Sequence, residues 1–271
     1  MNIERPDNRC LLMGIVNVTP DSFSDGGRFF SASKAVDHAL ALMEDGADVL
    51  DVGGESTRPG AVEVPEDEEL RRVLPVIEQL ARHAAIPISV DTRKARVADA
   101  ALSAGASIVN DISALRHDDD MLGVLLRHRA TVVLMHMQGE PSTMHIDPRY
   151  ADVIAEVLEF FTERLAVCAS AGINDVWLDP GIGFGKRLND NLTLLKDLDR
   201  LAALGFPLLV GTSRKSFIGY LGGNDTGNRL PGTIASCVLA RRNGASMLRV
   251  HDVREVRDAI RVADAIMIGE V

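Results

Sequence analysis

Cysteine is scarce in this 271-residue sequence: Cys10, Cys168 and Cys237 are widely spaced and form no C-x-x-C pair. That scarcity excludes a disulfide framework and a thiolate metal site, and it favours reduced thiols in a cytoplasmic protein. An excess of positive charge is also missing, since 29 Lys and Arg face 39 Asp and Glu for a net charge of -10. A general binder of nucleic acid or of anionic membranes would be repelled by its own partner, so neither is expected. No long apolar run is present. The most apolar window, Met121 to Met137, is broken by Arg127, His128 and Arg129 and is unfit to span a bilayer. The polar start, MNIERPDNRC, shows no secretory signal. Pro/Gly/Ser-rich linkers and low-complexity tracts are absent as well. Residues 1–271 are therefore expected to form one domain, a length that an α/β barrel reaches as a single unit.

What is present is an alternation of short apolar runs with helix-period segments. The runs Leu11–Val16, Val49–Val52, Ile86–Val90, Ile108–Val109, Thr131–Met135, Val176–Leu178, Pro207–Val210 and Met247–Val250 read as strands. Between them, SKAVDHALALMEDG places Val36, Ala39, Leu40 and Met43 on one face and stops at Gly46. PEDEELRRVLPVIEQLARHA opens with acids that suit a helix N-terminus, reads as solvated over Glu66–Glu69, and carries Pro75, which predicts a kink or break. The run Asp118–Asp120 reads as another solvated helix start. PRYADVIAEVLEFFTERLAVCASAG is the longest helical segment, with Phe160, Phe161 and Cys168 on its apolar side, and Asp252 caps the last one. DGADVLDV, AGASIVND and NGASMLRV repeat a helix-ending Gly-Ala ahead of a strand. Eight β-then-α units imply a parallel sheet covered by helices, and eight close naturally as a single (β/α)8 TIM barrel. A doubly wound open sheet is the alternative, but no G-x-G-x-x-G follows the first strand.

In such a barrel the strand C-terminal ends share one mouth, where chemistry is done. The exits carry Asn17, then Asp51 with GGESTRPG, then Asp91, Asn110 with Asp111, and Met135-His136-Met137. Asp179 follows in DPGIGFGK, then Ser213, Arg214 and Lys215, and last Arg249 and His251. Taken singly, each has an ordinary explanation. Asp91 suits a helix cap, and His136 lacks a second His at metal-binding spacing and reads as a wall residue. GIGFGK fails as a phosphate loop because Arg187 stands where Ser or Thr would hold magnesium, so its glycines read as room for a flat ligand. Taken together, the exits segregate into acceptors (Asp91, Asn110, Asp179) and cations or potential cations (Arg58, Lys215, Arg249, His251). The acceptors suit a planar heterocycle rich in N–H donors, such as a pterin or guanine-like ring. The cations suit a phosphate or diphosphate, and one amide oxygen at Asn17 suffices for a Mg2+ that phosphate oxygens largely hold.

MGIVNVTPDSFSDGG, DVGGESTRPGA, SVDT, NDI, LMHMQG, LDPGIGFGK, GTSRKSFIG and RVHDV, in this order, resemble the motif set of the bacterial dihydropteroate synthase family. The resemblance runs from about Leu12 to the last helix. It implies a (β/α)8 barrel, usually a homodimer, that condenses 6-hydroxymethyl-7,8-dihydropterin diphosphate with 4-aminobenzoate and releases diphosphate, in folate biosynthesis. Carried over position by position, it implies that Asp91, Asn110, Asp179 and Lys215 hold the pterin, with Met135, Gly183 and Phe184 lining its slot. Asn17 would bind Mg2+, and Thr57, Arg58, Arg249 and His251 would meet the diphosphate. Phe23, Pro59, Ser216 and the stem of Lys215 would form the 4-aminobenzoate pocket, which is also the expected site of competing sulfonamides. Catalysis would rest on Asp91, Asp179, Lys215, Arg249 and His251, with Arg214 unassigned. A pterin-dependent methyltransferase of the same barrel type would need no diphosphate end. A Schiff-base aldolase using Lys215 would be trapped by borohydride, and a non-catalytic pterin binder would turn over nothing.

Overall fold

Every one of the eight apolar runs is a strand in the computed structural model, which describes residues 9–19, 28–56, 63–223 and 228–269. In chain order the elements are β1 Leu11–Asn17, α1 Arg28–Glu44, β2 Val49–Gly53, α2 Glu66–His83, β3 Ile88–Asp91, α3 Ala95–Ser103, β4 Ile108–Asp111, α4 Met121–His128 and β5 Thr131–Met135. There follow α5 Val153–Ala171, β6 Val176–Asp179, α6 Leu188–Lys196, α7 Leu198–Ala202, β7 Leu209–Val210, α8 Ser216–Gly222, α9 Leu230–Arg242, β8 Met247–Val250 and α10 Val253–Ile268. All strand pairs are parallel, in the order β6-β5-β4-β3-β2-β1-β8-β7. A bridge from Leu178 to Leu208 closes the ring. The fold is the (β/α)8 barrel.

The repeated Gly-Ala has a steric cause. Gly46, Gly105 and Gly244 sit at φ +101, +120 and +108, a backbone region that side chains avoid, just after helices α1, α3 and α9. A Cβ on Gly105 would come within 2.5 Å of the Ala81 side chain, so the turn also needs the space. The main apolar cluster lies between the sheet and its helices and draws on all of them, with Phe161 and Cys168 of α5 fully buried as expected.

Four expectations about helices are corrected. Pro75 does not break α2, because Val73, Val76, Ile77 and Leu80 are all buried on either side of it. Four such burials, at about 1.5–3 kcal/mol each, outweigh the roughly 3 kcal/mol that a mid-helix proline costs. Glu69 is not solvated: it shares the helical face of Val73, Val76 and Leu80, is 1 % exposed, and pairs with Lys94 Nζ at 2.6 Å. The same ammonium reaches the Glu55 carboxylate and, at 2.7 Å, the Val64 carbonyl. Asp118 is more than a solvated start. Its carboxylate accepts from the Ala95 N–H at 2.8 Å and so caps α3, whose own N-cap position holds Lys94. Asp252 does occupy the N-cap of α10, but its carboxylate makes no capping bond and pairs with Arg214.

Replacing Lys94 by Met is expected to leave Glu69 as a buried carboxylate without its cation and to lower stability by about 3–5 kcal/mol. A urea unfolding curve measures it, and an unchanged midpoint would show that the pair contributes nothing.

Candidate active site

Side chains alternate faces along a strand, so the residues that point into the barrel are spaced by two. Leu11, Met13, Val49, Ile108, Val133, Trp177, Leu209 and Met247 form one buried cluster that fills its lower interior. Two positions further toward the C-terminal ends, the series turns polar on several strands: Val49 gives way to Asp51, Ile108 to Asn110, Trp177 to Asp179 and Met247 to Arg249. Asp91 follows Ser89 in the same way on β3. On β5 the step from Val133 to Met135 stays apolar. A dry plug therefore carries a layer of charge directly above it.

Arg249 organises that layer. Its Nε donates to Asp51 Oδ2 at 2.6 Å and an Nη donates to Asp91 Oδ2 at 2.7 Å. Asn110 Nδ2 also donates to Asp51 Oδ2, at 3.1 Å, and the other Asp51 oxygen is buried with no hydrogen-bond partner. One guanidinium thus serves two carboxylates. Burial pushes the Asp91 carboxyl up and outweighs the opposing pull of Arg249, with the Asp51 charge adding to the rise. The helix-cap account of Asp91 is excluded, because the residue faces Arg249 and Lys94 holds the cap position. Asp51 lay in view as a charge inside an apolar strand, VLDVG. Its partner stands 198 residues away, so only the fold could supply it.

Asp179 is drawn into shape by its own loop, accepting from the Gly181 N–H at 2.7 Å. Burial raises its pKa, against the Gly181 bond and the charge of Lys215. Lys215 stands at the N-cap of α8 with Nζ 4.0 Å from the centre of the Phe184 ring, and its stem lies against Gly183. Burial, with the nearby charge of Arg249, brings Lys215 down to about 8. Met135 packs with Ile112, Met137, Met144 and Phe184 into an apolar wall. Asp91, Asn110, Met135, Asp179, Gly183, Phe184 and Lys215 thus gather at one slot. Asp111 turns away from it and binds the Ser113 and Leu115 N–H groups at 2.7 and 2.8 Å.

His251 is expected as a potential cation and is found neutral. Burial and Arg249 drive it down to about 3, and its Nδ1 shares a hydrogen bond with the Ser213 hydroxyl at 2.9 Å. His136 is the wall residue expected, held neutral at about 2 by burial and by Lys186, with its ring edge-on to Phe160 at 4.8 Å. Arg214 and Lys215, adjacent in sequence, part company. Arg214, at φ +58, pairs with Asp252 at the surface, and Lys215 turns inward. Ser216 begins α8 and is exposed.

The GIGFGK turn departs from expectation. A Cβ on Gly181 would lie 2.0 Å from the His136 carbonyl oxygen and one on Gly185 2.3 Å from that of Gln138, so these glycines admit protein backbone. Only Gly183 faces the Lys215 slot. The turn's lysine, Lys186, had no part in the sequence reading and is buried at its centre.

Asn17 ends β1, half-buried and opposite Gly53. Among the described residues no three His, Cys, Asp or Glu gather to hold a metal. A lone amide oxygen fits a Mg2+ that takes its other ligands from phosphate and water, and does not fit one caged by protein alone. Phe23, Thr57, Arg58 and Pro59 lie outside the described residues. A separate cleft of about 250 Å3 is lined by Glu55, Glu63, Arg93, His117 and Glu140. There Arg93 is already paired with all three glutamates, and the slot chemistry lies elsewhere.

A family model described as pterin binding enzyme matches residues 13–251. The dihydropteroate synthase of Escherichia coli (strain K12) is 49% identical over 256 residues, covering 94% of this chain and 90% of that protein. Among solved structures, Xanthomonas albilineans dihydropteroate synthase with 4-aminobenzoic acid superposes with a TM-score of 0.91 at 50% identity, over 96% of this chain and 93% of the other. The Yersinia pestis enzyme in complex with a sulfonamide drug gives a TM-score of 0.92 at 43% identity, over 99% and 100%.

Replacing Arg249 by Met would strand two buried carboxylates, and a stability loss of about 3–5 kcal/mol is expected at neutral pH. Without the guanidinium, Asp91 rises further above its unfolded value and the folded state holds the extra proton. Stability of the variant should therefore recover as pH falls from about 7 toward 5. Urea unfolding at the two pH values checks the sign, and an equal loss at both would refute it.

Proposed function

The chain belongs to the pterin-binding enzyme family, and from that premise we propose that it condenses 6-hydroxymethyl-7,8-dihydropterin diphosphate with 4-aminobenzoate, giving 7,8-dihydropteroate and diphosphate in folate biosynthesis. The observation that carries the reading is the convergence of Asp91, Asn110 and Asp179 on a slot walled by Phe184, Met135 and Lys215. The three acceptors meet the ring's N–H donors, Lys215 donates to ring acceptors, and the apolar wall covers the ring face. The C–O bond to diphosphate breaks with its electron pair on the leaving oxygen. Cationic character then develops on the ring and methylene, and Asp91 and Asp179 stabilise it. The neutral amine of 4-aminobenzoate forms the C–N bond and afterwards loses a proton to water, so no strong general base is required.

Negative charge accumulates at the other end. Asp51 and Asp91 occupy two of the Arg249 nitrogens, which leaves the third for a phosphate oxygen. The His251 ring is a second contact, and Thr57 and Arg58 complete the set. Asn17 is the residue that would hold a Mg2+, which would supply charge neutralisation there. Phe23, Pro59, Ser216 and the Lys215 stem take the 4-aminobenzoate ring, and sulfonamides compete for the same place. The buried free thiols Cys10, Cys168 and Cys237 suit a reducing, cytoplasmic setting. No helix among the described residues is long and apolar enough to cross a membrane. A homodimer is supported by exposed apolar side chains on three consecutive outer helices: Tyr220 and Leu221 on α8, Leu239 on α9, Val262 and Ile266 on α10.

Incubation with both substrates and Mg2+ should release one diphosphate per dihydropteroate, and absence of product would overturn the reading. Because Lys215 titrates near 8, its charged form is present below that pH and is lost above it. Turnover should therefore decline as pH rises through about 8. Lys215→Met should lack that limb and lose roughly ten- to a hundredfold in kcat/KM for the pterin substrate, as a charge-assisted contact of about 1.5–3 kcal/mol disappears. Arg214→Met should be much milder. A dead Arg214→Met beside an active Lys215→Met would invert the two assignments.

A further inference from the structure

Lys186 touches no reacting group, yet it is 4 % exposed and buried beneath the slot. Its ammonium lies 3.0 Å from His136 Nδ1, 3.1 Å from the His136 carbonyl oxygen, 3.0 Å from that of Gly181 and 3.0 Å from that of Phe184. No carboxylate is in contact with it among the described residues. Burial pushes this ammonium down to about 7 against the pull of Asp179, and three carbonyls and a ring nitrogen offset the loss of water. Methylene groups in its place would take this donor from the His136 and Phe184 carbonyls, while the Gly181 carbonyl would keep the Phe184 N–H at 3.0 Å. All three carbonyls belong to segments that have no regular secondary structure: the turn from 180 to 187 and the exit of β5.

We propose that Lys186 is a positioning residue for the pterin slot, a role that rests on the function proposed above. Gathering the Gly181 and Phe184 carbonyls onto the β5 exit fixes both ends of the tight turn. One consequence is the Phe184 ring held against Lys215 Nζ; the other is the Gly181 N–H aimed at Asp179 Oδ1. The Nδ1 contact also ties the His136 ring to the same turn. Two further ties act on the same turn: the Tyr150 hydroxyl donates to the Gly185 carbonyl at 2.7 Å, and the Gly183 N–H donates to Asn191 Oδ1 at 2.6 Å. The backbone passes too close to His136 and Gln138 for a Cβ at positions 181 or 185, so the turn has little freedom to find another resting place.

The test is steady-state kinetics of Lys186→Met and Tyr150→Phe, each substrate varied at saturating levels of the other, with thermal unfolding to verify folding. Misplaced ring contacts should raise KM for the pterin diphosphate about tenfold in Lys186→Met, with KM for 4-aminobenzoate unchanged. Tyr150→Phe should move the same constant alone by about threefold, and it carries the test if Lys186→Met does not fold. A purely structural role would lower kcat with both KM values unchanged, and that result, an equal rise in both, or an unaltered pterin KM would overturn the proposal. Calorimetric binding of 6-hydroxymethylpterin to the wild type and Lys186→Met separates this inference from the reaction. Weaker binding to the variant upholds Lys186 even if the wild type proves inactive in turnover, and equal binding removes it.

Discussion

A guanidinium held between two carboxylates in the barrel interior is the interaction on which the site depends. Arg249 comes from β8, Asp51 from β2 and Asp91 from β3, so the trio spans β1 and ties both of its flanks together. Neither acid would tolerate the dry layer above Trp177 and Met13 alone, and neither would the arginine. Two acids against one guanidinium leave the mouth rich in acceptors, which favours a ligand that brings donors or positive charge to it. The same trio holds the arginine ready for an anion on its remaining nitrogen. Ring end and anion end are thus built from one set of charges.

Lysines mark the other stress points, and each is neutralised differently. Lys94 is paired with two glutamates and a carbonyl, and closes the base of the β2–α2 connection. Lys186 is surrounded by carbonyls. The Lys215 ammonium lies over an aromatic face and makes no hydrogen bond among the described residues, which leaves its donors for a ligand. Three lysines in one barrel mouth therefore perform three tasks, and the difference is set by what each neighbourhood already satisfies.

Much of this was legible in the chain. Apolar runs of strand length, helices that stop at Gly-Ala and polar residues at the strand exits were enough for the barrel and for most of its slot. The period of two even places Asp51, Asn110, Asp179 and Arg249 in one layer once the strands are known. What the chain withheld were partners distant in sequence. Glu69 reads as one of four acids at a helix start, and only its phase with Val73, Val76 and Leu80 betrays that it is inside. Lys186 carries no mark in the sequence because its acceptors are backbone oxygens, which leave no trace in side-chain identity. His251 read as a cation because its burial was not visible.

The barrel is not equally stiff around its circumference. β1 and β2 share five register pairs, whereas β7 is two residues long, shares two pairs with β8, and meets β6 through the single Leu178–Leu208 bridge. β6 ends at Asp179, and the chain that leaves β7 leads to Lys215. The acid and the lysine of the slot therefore stand on opposite banks of the seam with the fewest cross-links, while the arginine trio sits on the reinforced side. Thermal breathing of such a ring concentrates at its seam, so the width of the slot is its most compliant dimension. A flat ring can be admitted and gripped there at little elastic cost, with the charged trio left in register.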